Sequence, residues 1–285
     1  MGIARMNIVL VYNSRSGSAL PLGELTRKMS AHNITIDHAI DITENFKQAI
    51  APHIQSGAYI AAIGGDGTLS SVAQEVYGTK ATMIPLPGGT LNHFTKDLNI
   101  PQDLDEAIAT LHSKDPRKVD VATINETVFI NNSSIGLYPS TVHEREQIES
   151  KYGKWPSAVY ASIKAFIRFK HYVVTIDGIE YRTPFVFVGN NNYDITNAAQ
   201  RSSLDEGVLC VHMITSDSRL SLLKIIAYAI VGSIRDSEDL TSLTTRSVTI
   251  HAKKTHLRVS RDGEVAREPS PLRYKSQPAS LRILG

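Results

Sequence analysis

The residues best suited to chemistry fall in three short clusters of glycine and acid. The first, Ile63-Gly64-Gly65-Asp66-Gly67-Thr68, follows an apolar run and precedes a segment with helical spacing. Glycines at such a junction let backbone amides approach a ligand with no β-carbon in the way. The helix behind them offers free N–H groups and the positive end of its dipole, which favours phosphate. Thr68 is placed to cap that helix or to bond a phosphate oxygen. Asp66 is out of place in a pure phosphate cradle, because its charge repels the anion. It points to work with Mg2+ or with a proton. The second cluster, Pro87-Gly88-Gly89-Thr90-Leu91-Asn92, also follows an apolar run and precedes a short helical one, Asn92–Leu98. In an open parallel sheet the strand C-termini share one edge, so both turns are expected to face one crevice. The third cluster is Asp262-Gly263-Glu264. Asp-Gly between apolar strands is a strong hairpin signal, and Asp177-Gly178 reads as only that. For Asp262 a plain turn and a catalytic carboxylate both stay open.

No competing constellation appears. The sequence has no Gly-x-x-x-x-Gly-Lys-Ser/Thr loop, no Gly-x-Ser-x-Gly elbow, no His-Glu-x-x-His and no zinc spacing of His and Cys. A formal net charge of +2 does not suggest a nucleic-acid binder, although it leaves room for a local basic patch. Cys210 is the sole cysteine, so no disulfide forms within the chain, and its apolar surroundings predict a buried, inert thiol. The N-terminal apolar stretch is too short for a secretory signal, and Leu220–Val231 is far short of the ~20 residues of a membrane span. The expectation is a cytoplasmic protein.

The elements that must position these clusters divide the chain in two. Through about residue 118, apolar strands (Asn7–Asn13, Ile34–Ile40, Ala58–Ile63, Thr82–Pro85) alternate with helical segments (Pro21–His32, Glu44–Gln55 with Thr43 as N-cap, Thr68–Tyr77, Leu104–Leu111). That alternation predicts an α/β domain around a parallel sheet covered on both faces. Beyond it, short β-rich segments (Val119–Ile124, Val128–Ile135, Tyr172–Ile176, Phe185–Val188, Val208–Ile214, Ser247–His251, Thr255–Ser260) predict a mainly antiparallel β domain. Thr141–Lys170 and Leu220–Val231 read as helices, Pro269–Pro278 as irregular and Leu281–Leu284 as a final strand. The boundary falls near 120, giving 1–120 and 121–278, with 279–285 free to return to the first domain. Asp262 would then reach across an interdomain cleft, a favoured place for ligands.

Taken in order, the motifs resemble the diacylglycerol kinase catalytic-domain family of bacterial lipid kinases, relatives of the sphingosine and ceramide kinases. The matching elements are Asn13-Ser14-Arg15-Ser16-Gly17, the Gly-Gly-Asp-Gly-Thr turn, Pro87–Phe94, Asn131–Tyr138, Leu204–Leu209 and Asp262-Gly263-Glu264. The Gly-Gly-Asp-Gly-Thr element is shared with NAD kinases; the ordered set is specific. The resemblance implies a nucleotide-binding α/β domain and a lipid-substrate β domain. It implies ATP and Mg2+ as cofactors, and phosphorylation of a lipid hydroxyl such as that of diacylglycerol. Gly64, Gly65, Asp66, Gly67, Thr68, Leu69 and Ser70 would hold the ATP phosphates. Asn13, Thr43, Gly89 and Thr90 would line the nucleotide site. Asp262 matches the proton acceptor, with Glu264 beside it and Asp66 as Mg2+ ligand or alternative base. A structural Mg2+ segment reads Asp205-Glu206-Gly207-Val208-Leu209, with Glu206 in place of the usual Asp.

Three further departures stand out: Asn-Ser for Asn-Pro in the first loop, an extra glycine in the second turn, and His93 for Asp. The expected partners are a lipid substrate, a membrane surface met transiently from one side, and room for a homodimer. Lys151–Lys170, with Trp155 among Lys151, Lys154, Lys164, Arg168 and Lys170, is the membrane-facing candidate, and a helix packed on the β domain with a solvated basic face is the reading that competes with it. An NAD-kinase-type enzyme with a soluble substrate and a non-catalytic nucleotide- or lipid-binding regulator are the rival readings.

Overall fold

The computed structural model describes residues 5–17, 19–136, 172–176, 178–194, 200–201, 203–214, 240–252 and 254–285. In the first half β1 (Met6–Tyr12), α1 (Leu22–Ala31), β2 (Ile34–Asp41), α2 (Phe46–Ser56), β3 (Tyr59–Gly64), α3 (Asp66–Val76), β4 (Thr82–Pro87), α4 (His93–Asp97) and α5 (Leu104–Thr110) alternate. Then come β5 (Arg117–Ile124), β6 (Thr127–Phe129), β7 (Asn132–Ile135), β8 (Tyr172–Ile176), β9 (Ile179–Thr183) and β10 (Val186–Asn190). Among the described residues there follow β11 (Tyr193–Asp194), β12 (Gln200–Arg201), β13 (Leu209–Ile214), β14 (Leu240–Thr245), β15 (Ser247–His251), β16 (His256–Arg261), β17 (Glu264–Pro269) and β18 (Leu272–Ile283).

The order β2-β1-β3-β4 is parallel throughout. Its strands are apolar runs, as burial on both faces requires: Ile60 to Gly64 and Thr82 to Pro87 are all buried. The second half is antiparallel, with a sheet ordered β14-β13-β10-β7-β16-β17. Two apolar cores result, and β5 serves both: Val119 and Val121 enter the first, Ala122 and Ile124 the second. The chain therefore passes from one unit to the other along a strand, not through a linker.

β18 differs from the expected irregular tail. Over 272–278, Leu272, Tyr274 and Ser276 are buried between exposed Arg273 and Lys275, a period-2 pattern whose charges and Pro278 mask it in the sequence. It pairs with β15 and β5, and at Ile283 with Met83 of β4, so Leu281, Ile283 and Leu284 complete the first core. β9, β14 and β17 were also not anticipated; polar or charged residues fill at least half of each. The β8–β9 connection has Ile176 opposite Ile179, the two-residue hairpin expected at 177–178. Val128–Ile135 is two strands, broken at Ile130-Asn131. Helix α2 starts later than expected, with Asn45 at φ 42° as its N-cap in place of Thr43. The helices expected over 141–170 and 220–231 lie outside the described residues. Among the described residues no helix is long and apolar enough to cross a membrane.

Cys210 is buried, and burial pushes its thiol up to about 11. Burial also drives the His212 imidazole down to about 4. Its Nδ1 lies 2.9 Å from Ser242 Oγ, and its ring packs on Phe187. With the folded value below the ordinary ~6.5, the unfolded chain takes up a proton first as pH falls. The stability that neutral His212 contributes is whole above about pH 6.5 and is lost as pH drops toward its folded value. His212→Gln removes this dependence. In urea unfolding at about pH 7.5 and about pH 4.5, wild type is expected to lose roughly 2–3 kcal/mol more than the variant. Equal losses would contradict this.

Candidate active site

The site begins where two glycine turns meet. Helix α3 is capped by extended Gly65, and Leu69 is the first residue whose N–H finds an acceptor in the helix, Gly65 O at 3.1 Å. The N–H groups of Asp66, Gly67 and Thr68 are left without a helical partner, at the positive end of the dipole. The second turn packs on this one backbone to backbone. Gly88 N donates to Gly64 O at 3.1 Å. A β-carbon on Gly88 would stand 2.8 Å from Gly64 N, and one on Gly89 would stand 2.4 Å from Gly65 Cα. No side chain fits between them. Asn92, at φ 52°, closes the second turn by accepting from Gly89 N at 2.9 Å.

Asp66 now has an account. Its carboxylate does not face the bare amides of α3. Oδ2 accepts from His93 N at 3.1 Å, and Oδ1 accepts from Phe94 N and from Asn131 Nδ2, both at 3.0 Å. It thus caps α4, using negative charge where that helix's dipole favours it, and ties the second turn to the first. His93 takes part through its backbone, so the change from an acidic to a histidine side chain leaves this contact intact.

Asp262 is likewise committed. It sits at φ 46° in the β16–β17 turn and is 8% exposed. Oδ2 accepts from Ile130 N at 2.9 Å; Oδ1 accepts from Asn131 N at 2.8 Å and Asn132 N at 3.2 Å. Burial pushes its carboxyl up, while the Ser70 hydroxyl and the Ile130 and Asn131 amides pull it down. These bonds occupy the break between β6 and β7, where the backbone leaves the sheet and its N–H groups need acceptors. Glu264 is different. It is exposed, and its Oε1 would lie 2.5 Å from a β-carbon on Gly67. Among the described residues its side chain has no hydrogen bond or ion pair. It lies beside Gly67 in the first turn of α3.

Two hollows flank the turns. The larger, about 520 Å³, lies between α2, α3, β6 and the β16–β17 turn, and is lined by Gly67, Ser70, Gln74, Asn45, Asp262 and Glu264 among others. The smaller, about 250 Å³, lies on the α1–α5 side and is lined by Asn13, Gly64, Gly88 and Gly89 with Leu20 and Leu104. The residues expected to hold nucleotide are therefore distributed. Gly67 and Ser70 face the first hollow, while Asn13, Gly64 and Gly89 face the second. Gly65, Asp66 and Thr68 form the wall between. Thr68 is not the cap, since it lies inside α3 with its side chain against Gly64. Leu69 is fully buried in the core, so only its backbone can serve. Thr43 lies beyond β2, its N–H bonded to Asp41 Oδ1 at 3.0 Å, and Thr90 is exposed; neither lines a hollow.

The expected metal segment is occupied by protein bonds. Glu206 pairs with Asn192 and Asp205 with Ser203, and among the described residues no group of three or more His, Cys, Asp or Glu gathers as a cage. Asp120 instead supplies the local carboxylate, accepting from Gly207 N at 2.6 Å and Ala279 N at 2.7 Å. Mg2+ commonly uses one or two carboxylates and completes its sphere with water and phosphate. Near the turns, the Asp66 and Asp262 carboxylates each already accept backbone N–H bonds. Sequence reasoning assigned no role to Asn131, Asp97 or Arg201. Asn131 lies in a segment that was noticed, but no motif marks Arg201, and its partners are distant in the chain.

Residues 7–124 match the family of the diacylglycerol kinase catalytic domain, and residues 141–285 match the YegS C-terminal NAD kinase beta sandwich-like domain. The chain belongs to the diacylglycerol-kinase-like family that joins these two domains. It is 25% identical over 247 residues to a probable lipid kinase YegS-like of Pseudomonas putida, covering 83% of this chain and 80% of that one. It is 30% identical over 139 residues to the lipid kinase YegS of Escherichia coli K12, covering 45% of this chain and 46% of the relative, about half its length. A crystal structure of a diacylglycerol kinase from Bacillus anthracis superposes with a TM-score of 0.71 at 21% identity, over 98% of this chain and 96% of the other. That likeness shows the fold: an α/β unit with a mostly parallel sheet and an antiparallel β sandwich.

The bonding of Asp262 predicts a measurable division of labour. Asn keeps the turn, since Asn tolerates the left-handed backbone and Asn-Gly forms the same hairpin. It offers an NH2 group where three N–H donors converge. Asp262→Asn is therefore expected to lower stability by about 1–3 kcal/mol, seen as a lower thermal midpoint. An unchanged midpoint would mean that these bonds contribute nothing.

Proposed function

We propose that this protein transfers the γ-phosphoryl group of ATP to the hydroxyl of a lipid, with a diacylglycerol-like acceptor and a phosphatidic-acid-type product. The observation that carries the reading is the exposed Glu264 carboxylate, which lies beside Gly67 in the first turn of α3. Phosphoryl transfer depends mainly on positioning and charge stabilisation. The two glycine turns receive the phosphates through N–H groups. The larger hollow has the size and amide-rich lining (Asn45, Gln48, Gln74) to hold a nucleoside. A divalent cation bound with the nucleotide supplies charge neutralisation on the phosphates.

The base is Glu264 in this reading, not Asp262. A general base must come within hydrogen-bond reach of the hydroxyl; Asp262 is buried with its oxygens turned to the Ile130, Asn131 and Asn132 amides, whereas Glu264 is exposed. Kinase assays on a lipid panel in mixed micelles, with labelled ATP and Mg2+, test the reaction. Labelled phosphatidic acid is the expected product, whereas labelled NADP would favour the NAD-kinase-type rival. Glu264→Gln is expected to lower kcat by roughly 10²–10⁴-fold with ATP affinity little changed. Turnover within a few-fold of wild type would remove Glu264 from the mechanism.

The similarity to proteins described as lipid kinases supports a lipid acceptor, and such an acceptor is met at a membrane surface. We propose transient contact through the basic, aromatic segment 151–170. Lys164→Glu with Arg168→Glu is expected to weaken sedimentation with anionic vesicles while activity on a detergent-dispersed short-chain lipid survives. Unchanged sedimentation would leave the segment without that role.

A further inference from the structure

Arg201 brings a full charge into the boundary between the two units. Its side chain has no exposed surface, and that of its partner Asp97 is 10% exposed. A buried ion pair stabilises little by itself, because desolvation offsets the attraction. The placement calls for another reason, and the bonding supplies one. Nε and Nη2 each lie 2.7 Å from Asp97 Oδ2. Nη1 donates to Ile130 O at 2.6 Å, and Nη2 donates to Asn131 Oδ1 at 2.9 Å. The guanidinium also lies over the rings of Phe94 and Tyr193, with centroids at 6.0 Å and 5.4 Å.

Asn131 relays this arrangement. Because the guanidinium occupies its carbonyl oxygen, its NH2 group must face the other way, onto Asp66 Oδ1 at 3.0 Å. Asp66 in turn holds the N–H groups of His93 and Phe94, at the start of the helix that ends in Asp97. The contacts close a ring running Asp66, α4, Asp97, Arg201, Asn131 and back to Asp66. Helix α4 follows directly on the second glycine turn, so the ring fixes that turn against the first from both ends of the helix.

We propose that Arg201, supplied by the β unit, is a positioning residue for nucleotide binding. It sets the Asn131 amide and, through Asp66, the spacing of the two glycine turns. It touches no reacting atom. The inference rests on the reading of the site as an ATP site. Lysine is no substitute, because one ammonium lacks the planar fork that reaches Asp97, Ile130 O and Asn131 together.

The test is a double-mutant cycle on ATP affinity, measured by calorimetry, with Arg201→Lys and Asn131→Ala. Each single variant is expected to bind ATP about tenfold more weakly. Because both act through Asp66, the double variant is expected to lose much less than the product of the two. Thermal midpoints without nucleotide report packing separately. If Arg201→Lys does not fold, Arg201→Gln with Asp97→Asn replaces it, removing both buried charges together. Wild-type protein that fails to bind ATP overturns the nucleotide-site reading and this inference with it. Wild-type binding with Arg201→Lys affinity unchanged, or with multiplicative losses in the cycle, overturns this inference alone.

Discussion

The contact on which the site depends is the meeting of two stretches of bare backbone. Gly64 and Gly65 lie against Gly88 and Gly89 so closely that a single methyl group would collide with main-chain atoms. Such a contact has no side chains to hold it, and little apolar area to bury. Its stability must come from the flanks. The parallel pairing of β3 with β4 aligns the turns, with Gly64 opposite Pro87, and Asp66 locks the far side by capping α4. The acid that reads as out of place in a phosphate cradle is what holds the two glycine turns together.

The three carboxylates near the turns show how environment divides roles among similar groups. Asp66 and Asp262 each gather backbone N–H donors where the chain leaves regular structure, at the start of α4 and at the β6–β7 break. There they compensate peptide groups that would otherwise be stranded in a water-poor boundary. Glu264, two residues beyond Asp262, lies on the other side of the turn and stays open to solvent. The hairpin thus uses its first residue as an anchor and its third as the exposed group.

Much of this was legible in the sequence, and the reasons are local. The parallel half announces itself through apolar runs such as Tyr59–Gly64, because strands buried on both faces need them. The glycine turns were visible because only glycine permits so close an approach. The direction of the Asp66 carboxylate was not legible, since it depends on where α4 docks. Arg201 and Asp97 were invisible for the same reason: a buried pair that joins distant segments leaves no periodic trace. The register of β18 was hidden by Arg273 and Lys275, whose charge reads as loop although they occupy the exposed face of a strand. Asp262 stood out in the sequence as part of an Asp-Gly turn, but its burial against the β6–β7 backbone is a tertiary fact that no motif carries.

The placement of β18 also constrains the order in which the molecule can be built. Ile283 pairs with Met83, and Leu281 and Leu284 fill the core of a unit whose other strands all precede β5. During synthesis from the N-terminus, β4 is an open sheet edge until this late strand arrives. Closing so long a loop carries an entropic cost that local pairing does not. The α/β unit is therefore no self-contained module that could be cut out after β5 and kept whole. β18 serves both units, with Leu272 and Tyr274 in the second core and Leu281 and Ile283 in the first, so the half that is begun first is closed only when the strand that also completes the other has emerged from the ribosome.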